Sequence, residues 1–239
     1  MPAPALTAIA DELAREVDRL EFGPPVAQVY NPLIYARGAH HAYLHTAGAA
    51  TGRVLLLGMN PGPWGMTQTG VPFGEVAHVR DWLGIAGGVE PPAEQHPKRP
   101  ILGFGSGRSE VSGRRVWGWA KRRFGTPAAF FGRFLIWNYC PLAFLGESGA
   151  NLTPDRLPAR EKAPLLVACD RALRRAVEAL EPRVVVGIGV FAEGRARRAL
   201  DGLGVPIGRM LHPSPASPAA NRGWEEQAER DLRGLGVEL

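Results

Sequence analysis

The chain has 239 residues, 45% of them hydrophobic, which is enough to bury one substantial core, so we expect a single domain over residues 1–239. Its 28 lysines and arginines exceed its 23 aspartates and glutamates, for a formal net charge of +5. Two cysteines, Cys140 and Cys169, are too few for a four-cysteine zinc or iron–sulfur site, and neither a signal peptide nor a membrane-length apolar run is present. We therefore expect a soluble, intracellular protein whose two thiols are buried and free.

The amino-terminal region begins with a predicted amphipathic helix. Its apolar residues recur at helical spacing and end before Gly23-Pro24-Pro25: they are Leu6, Ile9, Leu13, Val17 and Leu20. Residues 30–43 follow no regular period and are predicted to be irregular. His40, His41 and His45 cluster here, but no carboxylate or cysteine lies among them, so surface or packing roles are favoured over a metal site.

A long loop follows the first predicted strand. Residues 54–57 are Val-Leu-Leu-Leu, which predicts a strand buried on both faces, and Gly58 ends it. Residues 59–75 are too rich in proline and glycine for either helix or strand, and helical spacing resumes only over residues 76–83. An ordinary strand-to-helix connection has roughly 2–6 residues. A loop of this length at the carboxyl end of a buried strand therefore predicts a ligand-binding site.

The next stretch, residues 98–123, is strongly basic. It carries eight lysines and arginines against Glu110 alone, so its net charge exceeds that of the whole chain. Residues 87–113 are predicted to be a surface loop, and residues 114–123 a short basic helix ending at Gly125. Basic residues interleaved with Trp117 and Trp119 suit a nucleic-acid backbone, although a solvated helix face explains the charge equally well.

The second half of the chain alternates strands with helices. The apolar run over residues 130–137 predicts a second buried strand that presents Asn138 at its end, residues 184–187 a third, and residues 205–211 a fourth that ends at His212. Helical spacing covers residues 165–180 and 190–200, and a closing helix places Trp224, Ala228, Leu232 and Leu235 on one face. This alternation predicts an α/β fold with a parallel sheet.

Three of these strands end in polar side chains. In a parallel sheet, Asn60, Asn138 and His212 emerge at one edge and can converge on one pocket. Ser214 lacks the glycines of a nucleophile elbow and no GxxxxGK[ST] motif exists, which argues against a serine hydrolase and an NTPase. What remains is a pair of amides, an imidazole and nearby aromatic rings.

Two motifs carry a family resemblance. Gly58-Met59-Asn60-Pro61-Gly62-Pro63 with Gln68-Thr69-Gly70-Val71-Pro72-Phe73-Gly74-Glu75, and His212-Pro213-Ser214-Pro215 with Asn221-Arg222-Gly223-Trp224, resemble the signature motifs of the single-strand-selective monofunctional uracil-DNA glycosylases. The likeness also includes residues 30–32, 96–100, 109–113, 138–142 and 151–154. It implies the uracil-DNA glycosylase fold, a three-layer αβα arrangement around a short four-stranded parallel sheet. It further implies hydrolysis of uracil and 5-hydroxymethyluracil from DNA, without metal, cofactor or lyase step.

The resemblance also implies roles for individual residues. Asn60 would place the attacking water and His212 would stabilise O2 of the departing base, while Phe73 stacks on that base and Asn138 binds its Watson–Crick edge. Gly62 and Met66 would frame its C5 side through a bound water. A wedge loop would enter the duplex with Pro213, Ser214, Pro215, Ala216 and Ser217. The charge of the basic stretch separately predicts phosphate contacts by Lys98, Arg114, Arg115, Lys121, Arg122 and Arg123.

One departure from the family pattern lies in the wedge loop, where Ala216-Ser217 stand in place of an arginine and an asparagine. We expect a monomer that acts on single- and double-stranded DNA in the cytoplasm, associated with the nucleoid if the source is bacterial. Two alternatives stay open from the residues alone. One is a glycosylase that prefers deaminated purines (xanthine, hypoxanthine), and the other is a non-catalytic protein that binds damaged or single-stranded DNA.

Overall fold

The computed structural model describes residues 2–48 and 50–239. The helices are α1 (Pro2–Val17), α2 (Pro32–Tyr35), α3 (Arg37–Ala47), α4 (Met66–Thr69), α5 (Val76–Asp81), α6 (Val111–Phe124), α7 (Pro127–Phe131), α8 (Ala159–Leu180), α9 (Val190–Ala199), α10 (Pro218–Asn221) and α11 (Trp224–Gly234). The strands are β1 (Gln28–Tyr30), β2 (Val54–Gly58), β3 (Phe134–Asn138), β4 (Ala143–Leu145), β5 (Asn151–Leu152), β6 (Val184–Ile188) and β7 (Ile207–Met210). Short 3₁₀ turns cover Gly103–Gly105 and Pro154–Arg156.

A four-stranded parallel sheet forms the centre, in the order β3-β2-β6-β7. Every residue of β2, β3 and β6 is buried, as expected for parallel strands covered on both faces. The register pairs Gly58 with Asn138 and Ile188 with Met210, so the loops after β2, β3 and β7 leave the sheet at one edge. The predicted α/β class and its four parallel strands are confirmed.

Helices cover both faces of this sheet. Gly187 of β6 pairs with Arg209 of β7, and partners in a parallel pair point to the same face. The backbone of α9 lies directly over Gly187, whereas Gly208, which points to the other face, packs against Leu235 at the end of α11. The arrangement is therefore the three-layer αβα sandwich that the resemblance implies.

The region predicted to be irregular, residues 30–43, is in fact mostly helical. Pro32 occupies the first turn of α2, and α3 buries Ala39, Tyr43 and Ala47 at helical spacing. Small alanine side chains make this face too weakly apolar to recognise in sequence. The three histidines of the region have separate surroundings: His40 bonds the carbonyl of Gly70, His41 bonds Asp11, and His45 is exposed.

Two further expectations are wrong. Phe130 and Phe131 belong to helix α7 and not to the strand, because Thr126 caps the helix by accepting from the Ala129 N–H and Pro127 fills its first turn. Residues 59–75 do contain helix, the single turn α4 that ends at Gly70 with φ of 71°. The basic helix α6 also begins earlier than predicted, at Val111, and the fourth strand is limited to Ile207–Met210.

A smaller antiparallel sheet, in the order β1-β4-β5, packs beside the central one. Cys140 and Cys169 are both buried and free, as expected. Within residues 2–48 and 50–239, no helix is long and apolar enough to cross a membrane.

Candidate active site

A cavity of about 330 Å³ opens at the carboxyl ends of the parallel strands. That volume lies at the small end of the range for ligand pockets. The structure brings to its walls every residue predicted to act on the base: Asn60, Gly62, Met66, Phe73, Asn138 and His212. Ser214 and Pro215 of the wedge loop lie at its mouth.

The amide of Asn60 is oriented by a single hydrogen bond. Its Nδ2 donates to the carbonyl of Leu142 at 3.3 Å, and Oδ1 has no hydrogen-bond partner among the described residues. The next residue, Pro61, has no N–H and so cannot donate to that oxygen. Oδ1 is left as an acceptor able to hold a water molecule.

The tautomer of His212 follows from its neighbours. The backbone N–H of Ser214 donates to Nδ1 at 3.1 Å, so the ring proton must sit on Nε2. Burial lowers the pKa of His212, which keeps the imidazole neutral near pH 7. Gly189, at φ of 92°, lets the end of β6 approach the ring closely. His212 therefore presents one neutral N–H donor to the cavity.

Phe73 is held in a strained backbone conformation. Its φ of 54° lies in the left-handed region, which a bulky residue rarely adopts. Hydrogen bonds on both sides maintain it: Trp117 donates to the carbonyl of Pro72 at 3.1 Å, and Thr69 donates to the carbonyl of Gly74 at 2.9 Å. Strain retained at a cavity wall indicates that the position of the ring matters for function.

Asn138 presents a buried acceptor with no partner. Its Nδ2 lies 3.1 Å from the sulfur of Met66, a weak acceptor, while Oδ1 is buried and accepts no hydrogen bond from the described residues. An unpaired buried polar atom costs about 1–3 kcal/mol. An N–H of a ligand in the cavity would satisfy this oxygen.

The long loop after β2 is firmly anchored. The side chain of Gln68 donates to the carbonyls of Pro63 and Pro100 and accepts from the N–H groups of Leu102 and Gly103. Tyr35 also donates to the carbonyl of Thr67. The loop is thus an ordered wall of the cavity.

Comparison with known proteins identifies the family. The model of the uracil DNA glycosylase superfamily matches residues 45–233. The single-strand selective monofunctional uracil-DNA glycosylase of Rattus norvegicus is 52% identical over 94% of this chain and 82% of its own length, and that of Mus musculus is 49% identical over 99% and 88%. The chain belongs to the single-strand-selective monofunctional uracil-DNA glycosylase family. The crystal structure of wild-type SMUG2 from Pedobacter heparinus, 17% identical, shares the fold with a TM-score of 0.66 over 95% of this chain and 97% of that one.

Glu110 is a cavity residue of this glycosylase to which sequence analysis gave no role. Its Oε2 accepts from the backbone N–H of Trp64 at 3.2 Å, and burial raises the pKa of its carboxyl group. A side chain at Gly62 would come within 2.6 Å of that oxygen, so the glycine makes room for the carboxyl. One feature of the sequence could have drawn attention to this residue: Glu110 is the single acidic residue in the basic stretch 98–123. Ser112, Asn151 and Thr153 also line the cavity and were likewise missed.

The wedge loop of the glycosylase is tied to helix α6. Arg115 donates to the carbonyl of Pro213 at 2.9 Å and to the side chain of Asn221 at 2.8 Å. Within the loop, Asn221 donates to the carbonyl of Pro215, also at 2.8 Å. Ala216 is exposed and its backbone N–H donates to the hydroxyl of Ser214. The loop is a braced turn with only a methyl group at its tip.

The other basic residues of α6 divide into two groups. Arg122 pairs with Glu225, and Arg123 approaches Glu229 at 3.9 Å and donates to the carbonyl of Leu239, so both hold α11. Arg115, as described above, donates to Pro213 and Asn221. Arg114 and Lys121 are exposed and form no ion pair with the described residues. The predicted contacts of all five residues with DNA stay predictions, and Arg115, Arg122 and Arg123 also bond other parts of the protein.

Proposed function

We propose that this glycosylase hydrolyses the N-glycosidic bond of uracil flipped out of DNA, leaving an abasic site and free uracil. The observation that carries the proposal is the unpaired, buried Oδ1 of Asn138 at the wall of a base-sized cavity. Uracil N3–H is a donor that would satisfy it, whereas cytosine carries no hydrogen at N3. Phe73 would stack on the ring from one face, and Nδ2 of Asn138 would donate to O4.

The chemistry is stabilisation of the leaving group. The bond from C1′ to N1 breaks with its electron pair moving to N1, and negative charge spreads to O2 of the base. The Nε2–H of His212 would donate to O2, and a donor aimed at developing charge contributes roughly 3–4 kcal/mol. Because the imidazole is already neutral, it acts as a hydrogen-bond donor and need not be a general acid.

Asn60 has the complementary role. An amide does not accept a proton near neutrality, so Asn60 orients the water through Oδ1 and does not act as a general base. The water attacks C1′ as the sugar becomes cation-like, and its proton is released to solvent. The residues that line the described part of the cavity include no lysine, the usual residue for Schiff-base formation. This agrees with a monofunctional enzyme.

The substrate range would extend to 5-hydroxymethyluracil. The C5 edge of the base would face Gly62 and Met66, where a bound water would be displaced by a hydroxymethyl group and would block the methyl of thymine. Such an enzyme would act on genomic DNA inside the cell. Uracil in single strands or in a U·G mismatch would be removed most readily, because flipping costs least when the base is unpaired or mispaired.

A substrate panel tests the proposal. Oligonucleotides that carry uracil, 5-hydroxymethyluracil, hypoxanthine, xanthine, thymine or cytosine at one position are incubated with excess enzyme and then cleaved with alkali. We expect cleavage at uracil and 5-hydroxymethyluracil. Cleavage only at the two purines would assign the deaminated-purine specificity, and binding without cleavage would leave a non-catalytic protein.

A variant of Asn60 separates catalysis from binding. Asn60→Ala should lose activity by a factor comparable with the loss expected for His212→Ala, roughly 10²–10³, while its affinity for uracil-containing DNA stays near that of the parent. Excision by Asn60→Ala at the parent rate would exclude the water-placing role.

A further inference from the structure

A second basic feature borders the cavity, away from the wedge loop. Trp64 lies in the loop after β2, between the cavity-lining residues Pro63 and Gly65. The guanidinium carbon of Arg99 lies 5.1 Å from the centre of the Trp64 ring, and that of Arg108 lies 5.4 Å from it. These are cation–π distances, so one indole holds two guanidinium groups at the mouth. We call Arg99 and Arg108, which lie over Trp64, together with Lys98, which precedes Arg99 in the chain, the basic rim.

No carboxylate of residues 2–48 and 50–239 forms an ion pair with the basic rim. Arg99 donates only to the backbone carbonyls of Gly149 and Lys98, and neither Lys98 nor Arg108 forms a side-chain hydrogen bond or an ion pair with the described residues. Lys98 and Arg108 are also exposed. The nearby carboxyl of Glu110 lies at the cavity wall, bonded to the backbone of Trp64, and burial raises its pKa.

Several arginines elsewhere in the molecule do pair with carboxylates. Arg37 pairs with Asp11, Arg122 with Glu225, and Arg195 with Asp170. Cations that lie beside the cavity and have no carboxylate partner among the described residues therefore mark a surface for an anionic ligand. Planar guanidinium groups with free N–H donors fit phosphate oxygens, often in a bidentate manner.

The position of the basic rim decides which anion it meets. The basic rim adjoins the cavity through Trp64, which lies between the lining residues Pro63 and Gly65. Arg99 also donates to the carbonyl of Gly149, two residues before the cavity-lining Asn151. The wedge loop instead joins α6 through Arg115. A nucleotide whose base occupies the cavity stays linked to its own strand through the phosphates on either side. The strand therefore leaves the cavity in two directions, and one of its two flanking phosphate segments must run along a side of the cavity other than that of the wedge loop.

We propose that the basic rim binds the sugar–phosphate backbone of the strand that carries the flipped uracil, and that it is the main electrostatic anchor for single-stranded DNA. The proposal rests on the proposed function, because it assumes that the cavity holds a base still attached to its strand. A duplex engages both the rim and the wedge loop. A single strand offers the wedge loop nothing to separate, so the rim is the anchor that remains for it. Trp64 acts as a positioning residue that holds the two guanidinium groups.

Neutralisation of the exposed rim cations tests the proposal. Single-turnover excision from a single-stranded uracil oligonucleotide is measured against enzyme concentration at several salt concentrations, for the parent and for Lys98→Gln with Arg108→Gln. Each phosphate contact contributes about 0.7 to the salt slope on single strands, so we expect the slope to fall by roughly 1.4 and half-saturation to weaken by roughly 10–30-fold near 0.1 M salt. The rate at saturating enzyme should not change, because neither residue lines the cavity.

A charge-matched control separates local contact from net charge. Arg171→Gln with Arg175→Gln removes the same two charges from α8, where these arginines pair with Glu16 and Glu12 of α1. The control should keep the parent salt slope. Equal changes in both double variants, or an unchanged slope in the rim variant, would overturn the proposal. Failure of the parent enzyme to excise uracil even at saturating enzyme concentration would instead count against the proposed function.

Two further measurements locate the contact. Neutral methylphosphonate linkages placed singly on each side of the uracil should weaken parent binding at one or two linkages on one side only, and should have no further effect there in the rim variant. Trp64→Leu should lower the salt slope in part, whereas Trp64→Phe, which keeps a ring for the guanidinium groups, should restore it. Additive losses at every linkage, or a normal slope in Trp64→Leu, would show that the strand does not follow the basic rim.

Discussion

Gly58 offers the sharpest test of how the cavity holds a base. This glycine ends β2 beside Asn138, its register partner in β3. A Cβ atom at position 58 would lie 2.6 Å from Cε2 of Phe73 and closer still to Oδ1 of Asn138. Carbon atoms in ordinary contact are about 3.5–4.0 Å apart. Gly58→Ala must therefore move both side chains by about 1 Å.

The expected loss follows from that displacement. Phe73 and Asn138 are the two residues proposed to hold one face and the Watson–Crick edge of the base, and a misplacement of about 1 Å can reduce a rate about 10²-fold. We expect Gly58→Ala to lower single-turnover excision of uracil from a single strand by roughly that factor. Overpacking should also cost about 1–3 kcal/mol of folding free energy. The thermal unfolding midpoint is therefore measured first, and the assay is run well below it.

Gly194→Ala is the matched control. Gly194 lies in helix α9, and a Cβ there meets no atom within 4 Å. This variant should keep the parent rate and gain about 0.5–1 kcal/mol of stability, since alanine is favoured over glycine inside a helix. A folded Gly58→Ala enzyme that excises uracil at the parent rate would refute the assignment of Phe73 and Asn138 to the base.

Four further predictions concern single residues. His212→Ala should lower the single-turnover rate by about 10²–10³. Because burial lowers the pKa of His212, the pH profile of the parent rate should show no imidazole titration from about pH 7 to 8. A rate that changes tenfold over that interval would contradict a neutral donor. Asn138→Asp should lose uracil excision, because a carboxylate cannot donate to O4, and unchanged excision in the same oligonucleotide assay would remove Asn138 from the base contacts. Phe73→Gly should be about 1 kcal/mol more stable than Phe73→Ala in denaturant unfolding, because of these two residues only glycine adopts φ of 54° without strain. Both variants should be inactive. The usual order, with the alanine variant more stable, would contradict the strain. Ala216→Arg should raise excision from a U·A pair and leave the single-strand rate unchanged, as a longer side chain can fill the vacated stack, and equal gains on both substrates would assign the wedge to another loop.

Local sequence determined the elements whose signal is contained in a few neighbouring residues. The runs at residues 54–57 and 184–187 are apolar on both faces, so they could only be central strands of a covered sheet. The polar residues that follow β2, β3 and β7 then had to meet at one edge, since parallel strands share their carboxyl ends. For that reason, the sequence alone could predict that Asn60, Asn138 and His212 lie close together.

Tertiary structure decided everything that depends on partners distant in sequence. Nothing near Asn138 in the chain indicates that its Oδ1 is buried and unpaired, or that Gly58 must lack a side chain to make room for it. Glu110 reaches the cavity wall only because α6 begins beside the loop at Trp64. The basic stretch is uniform in sequence, yet the fold assigns Arg115 to the wedge loop and Arg122 to α11, and leaves Arg108 free beside the cavity. The charge of a segment follows from its composition, but which charges are neutralised follows from the carboxylates that the fold brings within reach.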